Sequence, residues 1–530
     1  MRSSIFKYIF IIFVIILVII TGIKFLKSDD NQEQESLDQT SKSNVIQTDL
    51  RLAIADFDTL NPILSNNKNV QEISKIIYEP LVTLDSNLKL EYCLASEVAK
   101  KDDYTYIIKL KEGIKWQDGT EFSAKDVKFT IDTIKNLGVN SKYADNLASV
   151  VGLNIIDEHT ISISIDKRIP FFEYYLTFPI MSENYFLNED FSNSSKKDIA
   201  IGTGVFSVDS IENNVIKLIR NDNYWNKDKI PMVKEVYIKL YETIGDVYEA
   251  FKSGDIDLLN VSTTDIDKYI GTLGYTKIEY KTRYYDFISF NTQSLIFSSS
   301  QVRKALSLII DKSAMVAASL GAGYTPSNFS LDMGSWVYSD SVNISSDLDQ
   351  AKQILITDGW EYKNNYWSKN IDGKVYRLEF TIIVNSNNDL RKSVAENLKE
   401  QYGNFGIPVT ISHVDPNKYV DILNNKNYDV IIAGLECGYS PNVETFFGEN
   451  NIANYSNDEV NSILNEVSNT TDEGTIKEKY NRLYEIYLEE APYFGLYRET
   501  DYIVYNQGLV GSLKPNVFNI FQNIEKWYRQ

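Results

Sequence analysis

Two histidines, His159 and His413, and two cysteines, Cys93 and Cys437, are all that this 530-residue chain offers for imidazole or thiolate chemistry. A zinc site, or a Cys-His or Ser-His pair, would have to be built from these four side chains, and no spacing among them matches a ligand motif. His413 alternates with Val409 and Ile411 and reads as a packed or surface residue, whereas His159 follows Asp157 and Glu158 in a polar turn and reads as solvated. The acid pairs Asp102-Asp103 and Glu489-Glu490 have the chemistry of a general acid and base. They fall in a turn and at a helix end, where carboxylates are ordinarily hydrated. Gly321-Ala322-Gly323 follows a helix and lacks the strand-loop-helix setting of a phosphate loop. The expectation is a chain with no catalytic residue, no metal ligand and no cofactor, whose work is non-covalent binding.

The elements that would position a binding site come from a large, acidic, mixed chain. Its length is that of two or three lobes. Its 53 basic against 73 acidic residues give a net charge of -20, which repels phosphate backbones and excludes nucleic acid as an expected partner. Hydrophobic content of 43% excludes global disorder, and an aromatic share of 13% reads as core filling. Residues 8–23, between Lys7 and Lys24, form an uncharged apolar run that Ile5, Phe6, Phe25 and Leu26 extend to a helix over 5–26, with no small-x-small cleavage site and no following cysteine. With its flanks it is long enough for a hydrocarbon core of about 30 Å, so residues 1–27 read as an uncleaved membrane anchor. Residues 28–47 read as a flexible polar stalk. The first 44 residues are neutral overall, which leaves all of the acidity on the body.

In the body, TYIIKLK alternates as a half-buried strand, with Tyr104, Tyr106, Ile108 and Leu110 expected on one face. Ser123 and Asp126 read as a capping box before a helix carrying Val127, Ile131 and Ile134. Strand 378–384, a helix from about 389 to 402, strand 408–414, a helix from about 418 to 424 and strand 428–435 give a βαβαβ pattern. Such a pattern implies a parallel sheet with ligands at the carboxyl ends of its strands. A last helix from about Ile476 to Glu490, with Tyr480, Leu483, Tyr484 and Tyr487 on one stripe, stops before Pro492.

An ordered series of short pieces runs through this body: Thr59-Leu60-Asn61-Pro62, Tyr78-Glu79-Pro80-Leu81, Leu110 to Trp116, Asp118-Gly119 and Ala124-Lys125-Asp126-Val127. It continues with Gly202-Thr203-Gly204, Arg220 to Trp225, Lys252 to Asp257, Phe290-Asn291-Thr292, Val302 to Leu306, Gly406 to Val409 and Ala491-Pro492. Together they resemble family 5 of the solute-binding proteins of ABC importers, the oligopeptide- and dipeptide-binding type, from about residue 48 to 500. The resemblance implies an α/β, two-lobed, periplasmic-binding-protein-like fold of cluster C type with an extra subdomain, here preceded by the N-terminal transmembrane helix. Lobe I would comprise 48–275 and 495–530, with the subdomain at about 76–194, and lobe II would comprise 276–494.

The function so implied is capture of a peptide or similar small solute between closing lobes and its delivery to ABC permease and ATPase subunits. The body would lie outside the plasma membrane on its single anchor, as a monomer. A membrane-anchored sensor that feeds no transport, or a binder of a non-peptide solute such as a metal chelate, are the alternatives. By position, Asp56 and Phe57 would line the cleft from one lobe and Leu435, Glu436, Cys437, Gly438 and Tyr439 from the other. Trp336 would either reach the cleft or pin its own loop. The sequence departs from the family here. Gly438 stands where relatives that grip a peptide ammonium place an aspartate, and Leu435 stands where an aromatic is common. Either Glu436 or Asp56 would then take the cation, or the ligand has no ammonium at that point.

Overall fold

The computed structural model describes residues 47–194, 196, 200–262, 271 and 274–530. The expected anchor and almost all of the stalk lie outside the described residues. Among the described residues no helix is long and apolar enough to cross a membrane. Gln47, placed at the end of the stalk, already bridges to the backbone of Arg529.

The first strand, Asp49–Ala55, buries Leu50, Leu52 and Ile54 on one face and runs parallel to Glu235–Tyr241. Val215–Arg220 and Phe206–Glu212 complete this four-stranded sheet. An antiparallel sheet of Ala95–Asp102, Thr105–Leu110, Thr160–Ile165 and Val150–Asp157 carries the alternation read in TYIIKLK. Tyr106, Ile108 and Leu110 are buried, but Tyr104 is 55% exposed. Tyr104 precedes the strand, in a tight turn where its N–H donates to the Asp102 carboxylate at 2.9 Å, so the strand's facing does not reach it. The capping box forms: Ser123 and Asp126 satisfy backbone donors at the start of helix Ala124–Leu137.

The βαβαβ pattern is realised as strand Phe380–Asn385, helix Asp389–Asn404, strand Val409–Val414, helix Pro416–Asn424 and strand Val430–Glu436. The three strands are parallel, as helical crossovers require. The sheet as a whole is mixed, because Val430–Glu436 also pairs antiparallel with Tyr275–Phe290, which pairs in turn with Tyr493–Asn506. These last two are long crossing strands, and the halves of each belong to different cores. Tyr285, Phe287, Phe494 and Leu496 pack in one core, while Ile503, with the partly buried Tyr280 and Tyr505, packs in the other. Two lobes joined by two continuous strands follow from this.

The pairing of the crossing strands slips where the cores change. Lys281 faces Thr500 and Tyr285 faces Arg498, so Thr282, Arg283 and Tyr284 stand opposite Glu499 alone. Such a bulge re-aims side chains and concentrates twist. It is held from beneath by Arg498, fully buried, which donates to the Thr282 carbonyl at 3.1 Å, to the Ser330 carbonyl at 2.8 Å and to Asp332 at 2.8 Å. Gly495 lies beside it, where a Cβ would stand 2.6 Å from the Tyr285 hydroxyl. The last helix, Glu473–Glu490, buries the expected stripe and ends at Ala491 in a left-handed conformation.

Candidate functional site: a cleft between the lobes

A cavity of about 450 Å³ lies where three regions meet, within the range of roughly 300–1,000 Å³ common to small-molecule sites. Glu72 and Lys75 come from the end of helix Lys68–Ser74, and Lys142, Tyr143 and Asp145 from the turn after helix Ala124–Leu137. Arg283 comes from the bulge of the first crossing strand, and Glu436, Gly438 and Tyr439 from the end of strand Val430–Glu436. That strand end is the carboxyl edge at which the βαβαβ pattern places a ligand.

The eight residues singled out in the sequence separate into two groups. Glu436, Cys437, Gly438 and Tyr439 line the cavity. Leu435 packs against the core of its own lobe. Cys437 is buried, with Sγ 3.9 Å from Arg498 Nη1, and burial raises its thiol pKa. Asp56 and Phe57 are not among the lining residues. The chain turns at Asp56 in a left-handed conformation, φ 50°, where Asn67 Nδ2 donates to its carbonyl at 2.9 Å, and Phe57 packs on the core of the first lobe. Trp336 is not among the lining residues: it packs against the second-lobe core, and its Nε1 donates to the hydroxyl of Tyr174, a lining residue, at 3.0 Å. His159 is half-buried, not solvated as expected; it sits in the tight turn between strands Val150–Asp157 and Thr160–Ile165, where its backbone N–H donates to Asp157 Oδ1 at 2.9 Å.

Glu436 is not a spare acid. The bulge aims Arg283 across the cleft edge, where it pairs with Glu436, lays its guanidinium 4.6 Å from the centre of the Tyr439 ring and gives its carbonyl to Cys437 N–H at 2.9 Å. Glu72 pairs likewise with Lys75 at 2.7 Å and accepts Ile520 N–H at 3.2 Å. At Gly438 an added Cβ would meet only Ser440 N, at 3.9 Å. The glycine therefore leaves an open place in the wall and is not required by packing.

Lys142 differs from the other cations. Its ammonium lies 5.7 Å from the centre of the Tyr143 ring, and among the described residues it makes no ion pair. The residue as a whole is exposed. Desolvation of its ammonium by the cavity wall, with the charge of Lys75 added to it, pushes its pKa down to about 8. Its backbone is fixed by neighbours: Tyr143 donates to Gln71 Oε1 at 2.9 Å and Asn146 Nδ2 to the Tyr175 carbonyl at 2.9 Å. None of Lys75, Lys142, Tyr174, Arg283 or Phe518 belongs to a sequence motif. The only available signal was the polar-aromatic run Lys142 to Asn146 after a capped helix.

Residues 89–454 match the model of the bacterial extracellular solute-binding proteins, family 5, which is well over half of the chain. The chain belongs to this family. Among its curated relatives, the oligopeptide-binding protein AppA of Bacillus subtilis is 23% identical over 498 residues, covering 90% of each chain. The solved ABC transporter substrate-binding protein CtaP of Listeria monocytogenes is similar with a TM-score of 0.65 and 21% identity, over 91% of this chain and 99% of that one. NikA of Brucella suis, solved in complex with Fe(III)-EDTA, is similar with a TM-score of 0.62 and 21% identity, over 91% and 100%. These likenesses establish the two-lobed solute-binding fold. In a family 5 protein the cavity between the lobes is where a solute is sought, and its walls are the residues described above.

Proposed function

We propose that this family 5 protein is the extracytoplasmic receptor of an ABC importer, that it takes a peptide or similar small solute into the cleft, and that it hands the solute to a permease. One observation carries the reading: the cavity is walled by both lobes, with Lys75 and Lys142 on one side and Arg283 and Tyr439 on the other. A solute that touches both walls binds the closed arrangement better than the open one and so draws the lobes together, with no catalytic group involved. The relatives' peptide-binding names support a peptide, and the wall of tyrosines suits tolerant packing around an extended chain.

The division is placed at 48–275 with 495–530 against 276–494, the extra subdomain at about 76–194 carrying Lys142 and Tyr174. Residues 5–26 anchor the chain in the plasma membrane with the body outside. A metal chelate is the second reading, favoured by the missing carboxylate at Gly438 and by the chelate in NikA. Mass spectrometry of solute released from the purified full-length protein tests both readings. Peptides in the released fraction support the first, a chelated metal supports the second, and stimulation of no ATPase by the loaded protein would overturn delivery.

A further inference from the structure

Six charged side chains face the cavity, and four of them cancel in pairs: Glu72 with Lys75, and Glu436 with Arg283. Lys142 and Asp145 remain, and among the described residues neither makes an ion pair. An unpaired ammonium in a partly desolvated cleft, beside the like charges of Lys75 and Arg283, is unfavourable until an anion joins it. The segment that carries it is already rigid. Ser141 and Leu147 are 3% and 2% exposed, and Tyr143 and Asn146 are tied to Gln71 and Tyr175. Only the Lys142 side chain has to be ordered when a ligand arrives, so little of the interaction is lost to entropy. The facing wall offers no competing cation, since Arg283 is held by Glu436 and stacked on Tyr439.

From this arrangement we infer that Lys142 is the anion anchor of the cleft, taking the carboxylate of a bound peptide. Charge recognition is thereby carried by the Ser141–Leu147 turn of one lobe instead of the Gly434–Tyr439 segment of the other. The inference rests on the cleft being a peptide site.

The test uses the full-length protein in equilibrium dialysis against pools of N-acetylated tri- to pentapeptides, one pool with free C-termini and one C-amidated, with retention read by mass spectrometry. The wild type is expected to retain the free-acid pool about tenfold better than the amidated pool, the scale of one charge-assisted hydrogen bond. Lys142→Ala abolishes that preference, with an unchanged thermal unfolding midpoint reporting an intact fold, and Lys142→Arg restores it. Equal retention of the two pools by the wild type, or an undiminished preference in Lys142→Ala, overturns the assignment and leaves peptide binding standing. Retention of neither pool by the wild type removes the peptide reading and this assignment with it.

Discussion

At the scale of single residues, the cleft is a place where charges are cancelled before a ligand arrives. In the sequence Glu436 reads as one of two candidates, with Asp56, to replace the aspartate missing at Gly438, unless the ligand has no ammonium there; in the structure Glu436 pairs with Arg283. Arg283 could not have been paired with it from sequence, because the two are brought together by a bulge whose existence depends on the pairing of distant strands. Lys142 carries the titration of the site. It is charged below its pKa of about 8 and neutral above, while facing Lys75, Glu72, Arg283, Glu436, Asp145 and the ring of Tyr143. Affinity for an N-acetylated peptide acid should therefore be flat from pH 6 to 7, fall as pH rises past 8 and level off about tenfold lower, where the affinity matches that for the amidated peptide. Lys142→Arg, whose guanidinium stays charged, should flatten that fall in titration calorimetry. A fall that persists in the arginine variant would assign the titration to another group.

At the scale of elements, the parts with local signatures were legible and the parts made by distant pairing were not. The capping box at Ser123 and the alternation of helix and strand from Phe380 to Glu436 follow from periods written within a dozen residues. The crossing strands Tyr275–Phe290 and Tyr493–Asn506 carry no such mark, since the first shifts from exposed to buried along its length, the second is buried almost throughout, and each pairs with the other more than 200 residues away. Their junction depends on the buried pair of Arg498 and Asp332. Arg498→Met leaves Asp332 with Lys281 at 3.2 Å and Ser327 at 2.8 Å but strips the Thr282, Phe329 and Ser330 carbonyls of this donor. Breaking a buried pair from one side costs about 3–5 kcal/mol. Urea unfolding should register a loss of that order, and a loss under about 1 kcal/mol would mean the bulge is held by its other contacts. A second element-scale constraint is the Gly202-Thr203-Gly204 turn. A Cβ at Gly202 would lie 1.8 Å from the Ile77 carbonyl oxygen, so Gly202→Ala should force that turn off the backbone at Ile77, just beyond helix Lys68–Ser74, and lower the thermal midpoint by several degrees.

At the scale of the whole molecule, the two lobes touch beyond the cavity through small polar contacts. Arg168 Nη1 donates to Asn465 Oδ1 at 3.0 Å, Lys100 to Asn469 at 3.2 Å, and Trp336 to Tyr174 at 3.0 Å. The exposed contacts are individually weak, but the Trp336 bond is partly shielded and bridges the lobes directly. Trp336→Phe removes it with little change of shape. The expected outcome is a two- to tenfold loss of affinity, about 0.5–1.5 kcal/mol, with the same free-acid preference, and a wider radius of gyration in solution scattering at subsaturating ligand. An unchanged radius would place Trp336 outside the closing equilibrium. Gly438 has a consequence of a different kind. Because nothing in the fold leans on that position, the identity of its residue is free to drift: an acid there would reintroduce a grip for ammonium without disturbing a core atom. Diet, in such a receptor, can be rewritten by selection while the architecture that captures it stays untouched.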